Sequence, residues 1–227
     1  MKKSCYGKST ETSLAEKHFK PALVTNSILL ELNSIKEFIA GIIDDRYPDL
    51  GEHQTRVTEN SALFAQYIDL SQQDSEFLVI GAGIHDVGKI SISDYILNKP
   101  AKLTRHEFAL VKQHAELGYK LLAPLKLNTQ ITEIVLYHHE NFDGSGYPER
   151  LSGENIPFLA RMARILDTYD ALTMDRPYHK GISGKDAITV MQQDLHYYDP
   201  NLLKFFSELI VQSNFDLSSQ TELVVTS

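Results

Sequence analysis

Seven histidine and aspartate side chains lie where helices are predicted to end or to face inward. They are His53, His85, Asp86, His114, His138, His139 and Asp167. Imidazole nitrogens and carboxylate oxygens bind Fe, Mn and Zn. A hydrolase that uses two metal ions needs about this number of ligands, including a carboxylate that bridges the ions. The set therefore predicts a metal-dependent hydrolytic site.

Each of these residues also has an ordinary structural interpretation when it is taken alone. His85 and Asp86 could be a core histidine and the carboxylate that holds it, because such pairs are often structural. His138 and His139 point about 100° apart on a helix, so they could form a solvated helix end. Five of the nine histidines fall in the set, which favours a site over coincidence.

The elements that must position these side chains are predicted to be helices. Apolar residues recur at helical spacing from Pro21 to Asp45, and Tyr47-Pro48 ends that pattern. Further helices are predicted over residues 52–68, 71–84, 104–113, 114–122, 128–139, 157–174, from 183 onward and over 200–211. In the second helix, Val57, Leu63, Phe64 and Tyr67 are expected to face inward. No alternation of strands and helices is visible, so we predict an all-α fold.

The apolar run 77–84 leaves a buried strand as an alternative. We favour a buried helix, because the run contains small residues and shows no alternation of polar and apolar positions. His85 and Asp86 would then follow the end of this helix.

Composition narrows the class of protein. The chain has 227 residues, of which 42% are hydrophobic, and it carries a net charge of −8, which disfavours a broad nucleic-acid-binding face. Its one cysteine, Cys5, excludes an internal disulfide and a sulfur-rich zinc site. No apolar run is long enough to span a membrane and none follows Lys2 and Lys3 as in a signal peptide, so we predict a cytoplasmic protein without a membrane span.

Four ordered motifs then resemble the HD-GYP family of bacterial phosphodiesterases. They are His85-Asp86-Val-Gly-Lys89, His138-His139-Glu140, Asp143-Gly-Ser-Gly-Tyr147-Pro148 and Asp167-Thr-Tyr-Asp170 continuing to Arg176-Pro-Tyr178. The resemblance covers about residues 49–200 and implies an HD-domain helical bundle. We expect a tail over 1–20, an N-terminal helical extension over 21–48, the catalytic domain over 49–212 and a C-terminal tail over 213–227.

The resemblance also implies a role for each matching residue. The seven residues of the set match the family's metal ligands, and Asp86 matches the bridging carboxylate. Lys89 and Arg176 match residues that contact the scissile phosphate and act in catalysis. Tyr147 and Pro148 match the signature loop, which either contacts substrate or shapes the site. Asp49 stands where members with three metals carry a glutamate, so we expect two ions, with a third as an alternative.

The implied substrate is a cyclic dinucleotide, either cyclic di-GMP or 3′,3′-cyclic GMP-AMP, cleaved to a linear dinucleotide with a 5′-phosphate. The implied cofactors are two divalent ions, with Fe or Mn favoured. Another HD-type nucleotide phosphohydrolase and a non-catalytic module that binds a cyclic dinucleotide are the alternatives. The helix over 21–45 is expected either to form a homodimer or to pack on its own domain. The Gly-Tyr-Pro loop is the expected contact for a signalling partner.

Overall fold

The computed structural model describes residues 21–175 and 180–212, and in the first helix it describes side chains from Leu30 onward. The predicted tails 1–20 and 213–227 and the predicted site residue Arg176 lie outside the described residues. The α-helices are α1 (Pro21–Arg46), α2 (Pro48–Tyr67), α3 (Gln72–Ile84), α4 (Asp94–Leu97), α5 (Arg105–Lys112), α6 (His114–Leu122), α7 (Thr129–Tyr137), α8 (Phe158–Thr173), α9 (Gly184–Gln193) and α10 (Pro200–Gln212). Short 3₁₀ turns span Val87–Ser91, Ala123–Leu125, Gly153–Asn155 and Leu195–Tyr197.

The all-α prediction is confirmed, since the described residues contain no strand. Side-chain caps set several of the helix starts. The Thr104 hydroxyl accepts the Glu107 backbone N–H, and the Glu107 carboxylate accepts the Thr104 N–H in return. Ser71 and Ser183 each accept one backbone N–H at the start of α3 and α9. A free N–H at a helix start needs such a partner, so the helices begin where the sequence supplies one.

The apolar run 77–84 is a buried helix, as we favoured from the sequence. Phe77, Leu78, Ile80 and Ile84 are all buried. A Cβ at Gly81 would come within 2.5 Å of the Ile134 side chain on α7. The small residue therefore allows α7 to approach α3 closely, which brings the ends of these two helices together.

The core is built between α2, α8 and α10. Phe64 of α2 and Tyr169 of α8 each contact the ring of Phe206 on α10, with ring centroids 5.1 Å apart in both pairs. Edge-to-face pairs of this kind add stability beyond the burial of area. This packing fixes the faces of α2 and α8 that carry His53 and Asp167.

Two details of the second helix differ from the prediction. The helix begins at Pro48 and not at 52, because proline fits the first helical turn, where its missing N–H has no partner to lose. Leu63 is 38% exposed, whereas Val57 and Phe64 are buried. Leu63 lies about 100° around the helix from Phe64, on the side opposite to the buried Ala65, and so falls outside the buried face of α2.

None of the described helices combines the length and the apolar character that crossing a bilayer requires.

Candidate metal centre

The seven predicted ligands converge at one place in the fold. His53 lies in the second turn of α2 and Asp167 within α8, whereas the other five lie at or just beyond helix ends. Five of the seven are buried. They are His53, His85, Asp86, His114 and His138. Asp167 and His139 are half-buried and face the same centre.

The Asp86 carboxylate lies between two groups of histidines. Its Oδ1 is 3.2 Å from His114 Nε2 and 3.8 Å from His138 Nε2. Its Oδ2 is 3.5 Å from His85 Nε2 and 3.9 Å from His53 Nε2. One oxygen therefore faces each pair of rings, which is the arrangement that a carboxylate bridging two ions requires.

Three of the histidines are oriented by helix-terminal carbonyl groups. In each, Nδ1 lies within hydrogen-bond distance of the carbonyl oxygen three residues earlier. The pairs are His85 with Ala82 (2.7 Å), His114 with Val111 (2.7 Å) and His138 with Val135 (2.9 Å). The last carbonyls of a helix have no partner within the helix, so these rings satisfy them. A ring that donates from Nδ1 presents Nε2 to the centre.

The inward nitrogens face each other across short distances. His114 Nε2 lies 3.2 Å from His138 Nε2, and His53 Nε2 lies 3.3 Å from His85 Nε2. A neutral ring that donates from Nδ1 carries a lone pair on Nε2, so facing Nε2 atoms need a shared cation: either a metal ion, or a proton such as the one that the raised pKa of His53 keeps at neutral pH in the metal-free protein. The donor set therefore fits metal ions. Two subsets lie close enough to share an ion: His53 with His85 and Asp86, and Asp86 with His114, His138 and His139.

A carboxylate outside the predicted set orients His53. Asp170 Oδ2 lies 2.6 Å from His53 Nδ1, and Asp170 Oδ1 accepts a hydrogen bond from Arg56 Nε at 2.7 Å. Carboxylates commonly hold ligand histidines in this way. Sequence analysis assigned no role to Asp170 or Arg56. The available signal was the spacing, because Asp170 follows Asp167 by three residues and so shares its helix face.

Asp167 also lies near histidines of both groups. Its Oδ1 is 3.3 Å from His53 Nε2, and its Oδ2 is 3.8 Å from His139 Nδ1. The His139 ring also lies against Tyr147, with centroids 4.8 Å apart. The Gly-Tyr-Pro loop thus reaches the metal centre through Tyr147, while Pro148 follows it through a cis peptide bond.

Burial and neighbouring charges shift the pKa values of the centre in different directions. Burial lowers the pKa of His85 and His138 and lowers that of His139 to about 3. Burial opposes a charge on His53 too, but hydrogen bonds to Asp167 and Asp170 outweigh it and raise the His53 pKa to about 9. Three of the rings are therefore neutral at pH 7, the state in which imidazole binds a metal.

Lys89 lies beside the central carboxylate. Its Nζ is 2.5 Å from Asp86 Oδ2, and the Lys89 ammonium helps to hold the pKa of Asp86 well below its usual range against the effect of burial. The 3₁₀ turn that carries Lys89 packs closely on α6. A Cβ at Gly88 would come within 1.9 Å of the His114 carbonyl oxygen, so only glycine fits there.

The Gly-Tyr-Pro loop is held by hydrogen bonds to the His138-His139-Glu140 motif that precedes it. The Glu140 carboxylate is buried and accepts the Glu149 N–H at 2.7 Å, while the Tyr147 N–H donates to the His139 carbonyl. Arg164 on α8 donates to the Asn141 side chain at 3.0 Å. Sequence analysis gave Glu140 no role, although its position after His138-His139 was the signal.

Asp49 is a predicted ligand whose role stays a prediction. It lies exposed in the first turn of α2, one turn before His53, and belongs to neither ligand subset found among the described residues.

Comparisons with known proteins agree with this geometry. A family model described as the HD domain matches residues 37–202. A cyclic di-GMP phosphodiesterase of Pseudomonas aeruginosa is 33% identical over 188 residues, which are 82% of this chain and 45% of that protein. A 3′3′-cGAMP-specific phosphodiesterase of Vibrio cholerae is 33% identical over 173 residues, which are 75% of this chain and 33% of that protein. The chain thus spans less than half the length of these two curated relatives.

A solved structure shares the fold. The structure of an HDG"Y"P protein from Bdellovibrio bacteriovorus matches with a TM-score of 0.62 over 81% of this chain and 64% of that chain. The sequences are 16% identical, so this likeness concerns the helical fold alone.

Replacing Asp170 tests the support of His53. We expect Asp170→Asn to weaken the affinity for one metal ion about 10- to 100-fold, because the loss of an outer carboxylate leaves the ligand ring less basic and less well oriented. Affinity would be measured by competition with a chromophoric chelator. Asp45→Asn, which changes an exposed carboxylate on α1, is the matched control. If the two variants bind the metal ion with equal affinity, Asp170 does not support the metal site.

The pKa shifts predict how the stability of the metal-free protein depends on pH. Below pH 6.5 the unfolded chain takes up protons on His85, His138 and His139 that the folded chain does not. As the pH decreases below 6.5, the free energy of unfolding should therefore fall by up to about 1.4 kcal/mol per pH unit for each of these histidines. Between pH 6.5 and about 9, folded His53 keeps a proton that the unfolded chain loses, so its contribution disappears as pH rises.

Urea unfolding in the presence of a chelator would measure this curve, with its maximum near the ordinary histidine pKa of 6.5. His139→Gln should make the acid side shallower, because one buried neutral ring is gone. Stability that rises on mild acidification would contradict the assignment of neutral buried rings.

Proposed function

Because the chain belongs to the HD domain family and carries the ordered HD-GYP motifs, we propose that it is a metal-dependent phosphodiesterase of cyclic dinucleotides. The observation that carries the proposal is the Asp86 carboxylate, whose two oxygens face two separate histidine pairs. The names of the relatives add the substrate class, either cyclic di-GMP or 3′,3′-cyclic GMP-AMP. The proposed product is a linear dinucleotide with a 5′-phosphate.

We propose that the seven converging residues hold two divalent ions. His53, His85 and Asp86 would ligate one ion, while Asp86, His114, His138 and His139 would ligate the other. Asp167 lies within reach of both groups. Nitrogen and oxygen ligands of this kind suit Fe or Mn. A third ion near Asp49 stays the alternative to the two expected ions.

Bound divalent ions supply Lewis acidity and lower the pKa of a nearby water toward neutrality. The residues of the chain then bind and orient the substrate. Lys89 extends from the turn after Asp86 and would neutralise charge that develops on the phosphoryl oxygens. Arg176 is proposed for the same task, since its planar fork can bind two oxygens. Tyr147, which contacts His139, would line the substrate side of the centre.

Turnover by the metal-loaded protein tests the proposal. We expect Fe(II)- or Mn(II)-loaded protein to cleave at least one of the two cyclic dinucleotides, and we expect Asp86→Ala to lower kcat by at least about 1,000-fold, because the bridge between the ligand groups is lost. Product formation would be followed by chromatography under anaerobic conditions, with Asp45→Ala as the control.

Circular dichroism should show that Asp86→Ala stays folded. Cleavage at the normal rate by Asp86→Ala, or no cleavage of either dinucleotide by wild-type protein with metal bound, would reject the proposed function.

We also propose that α1 mediates a homodimer. The helix packs on its own domain through Ile39 and Ile43, which are buried. On another face, Leu30 and Phe38 are each 69% exposed, and Ile42 is 42% exposed. Their spacing of eight and four residues places them in one stripe, which a second copy could cover. Sedimentation velocity should show a dimer that Phe38→Asp disrupts, and a monomeric wild-type protein would contradict this.

A signalling partner at the Gly-Tyr-Pro loop and a cytoplasmic location stay predictions. The loop presents a partly exposed surface around Ser145, which a partner could contact. Pull-down with the loop variant Ser145→Arg would test the partner contact. Cell fractionation would test the location.

A further inference from the structure

A cyclic dinucleotide presents two negatively charged phosphodiesters, of which only one can react at the metal centre at a time. The chain carries a net charge of −8, so the second phosphate needs a local cation near the centre. The cations already assigned, Lys89 and Arg176, are proposed to serve the reacting phosphate. Arg164 of α8 also lies near the site, but it donates to the Asn141 and Thr168 side chains, so the second phosphate needs another basic side chain.

Lys112 is such a side chain. It is the last residue of α5 and precedes the metal-centre residue His114 by two positions. Its Nζ lies 4.9 Å from the centroid of the Tyr147 ring. The Tyr147 ring in turn contacts His139 at 4.8 Å and His114 at 6.4 Å between centroids. Lys112 is thus separated from the metal-binding rings by a single aromatic ring.

No described carboxylate lies within ion-pair distance of Lys112. By contrast, Lys89, Lys99 and Lys120 each pair with an acidic side chain. Lys112 contacts two aromatic faces instead, since its Nζ is also 5.0 Å from the Phe108 ring. A cation on an aromatic face keeps donors that an anion can engage. Lys112 is also half-buried, so its side chain is held near Tyr147.

Phe108 adds an exposed aromatic surface next to this cation. It lies one turn before Lys112 on the same face of α5, and it is 49% exposed. No residue of α5 is buried, so the ring is not needed to anchor this helix in the core. Exposed aromatic rings next to basic side chains are a common means of binding unpaired bases and the phosphates between them.

We propose that Lys112 and Phe108 form the subsite for the nucleotide that is not being cleaved. Lys112 binds the non-reacting phosphate, and Phe108 stacks on the adjoining purine. The subsite rests on the proposed function, because it takes the second half of the same substrate. It makes the enzyme select a dinucleotide over a small phosphodiester, since only the larger ligand reaches α5 while a phosphate lies at the metal centre.

Two substrates separate the subsite from the metal chemistry. Cyclic di-GMP would occupy both parts of the site, whereas bis(p-nitrophenyl) phosphate is a small diester that needs only the metal centre. Steady-state kinetics of Mn(II)-loaded protein would be measured with both substrates for wild type and for Lys112→Ala, Lys112→Arg, Phe108→Leu and Phe108→Tyr. Lys120→Ala is the matched control, because it removes an exposed lysine from the neighbouring helix α6. Metal content and thermal unfolding confirm that each variant is intact.

We expect Lys112→Ala to raise KM for cyclic di-GMP about tenfold with kcat within about twofold, because a contact outside the reacting centre contributes mainly to binding. Lys112→Arg should restore most of the affinity. Phe108→Leu should raise KM several-fold and Phe108→Tyr should not, since tyrosine keeps the stacking face. All variants should cleave the small diester like wild type.

Each other outcome has a distinct meaning. If wild type cleaves cyclic di-GMP and Lys112→Ala has an unchanged KM, the subsite is overturned and the proposed function stands. If Lys112→Ala impairs both substrates equally, the residue acts on the metal centre and the subsite is again overturned. If wild type cleaves the small diester but no cyclic dinucleotide, the proposed substrate class fails and the subsite fails with it.

Discussion

The centre depends on histidine rings that are fixed through one nitrogen so that the other nitrogen faces inward. In His85, His114 and His138 the fixing partner is a carbonyl oxygen three residues earlier, at the end of a helix. In His53 it is the Asp170 carboxylate. The positions of the helix ends therefore determine the geometry of the ligand set. Any change that lengthens or shifts one of these helices would also turn a ligand away.

The same centre also contains groups whose burial opposes folding. Asp86 and Asp167 are carboxylates removed from water, and their pKa values stay low because the surrounding histidines, and Lys89 in the case of Asp86, stabilise the charged forms. Burying ions and neutral imidazoles opposes folding unless each finds a partner. The aromatic packing of Phe64 against Phe206 stabilises the fold away from these buried charged side chains. The apolar core that stabilises the fold is thus separate from the polar centre that carries the predicted ligands.

Sequence reasoning succeeded where the determinants are local. The helix starts predicted near 71 and 104 and the buried helix before His85 follow from residues a few positions apart, and all three are present in the structure, where Ser71 and Thr104 cap the helices. It failed where the determinant is a contact across the fold. Asp170 meets His53 from a position 117 residues away, a pairing that no short pattern encodes. Leu63 was misassigned because the buried face of α2 extends from Phe64 toward Ala65 and not toward Leu63, and the neighbours that cover one side of a helix are not visible in its sequence.

The helices that end at the centre also have an electrostatic effect of their own. Helices α3, α5 and α7 all point their C-terminal ends toward the ligand rings. Each such end carries the equivalent of about half a negative charge from the aligned peptide dipoles. Helix α6 begins at His114, so its N-terminal end contributes about half a positive charge and offsets one of these three ends, which leaves a net negative contribution beside the Asp86 and Asp167 carboxylates. Divalent ions at the proposed centre would compensate this negative charge, so we expect metal binding to favour the approach of an anionic substrate.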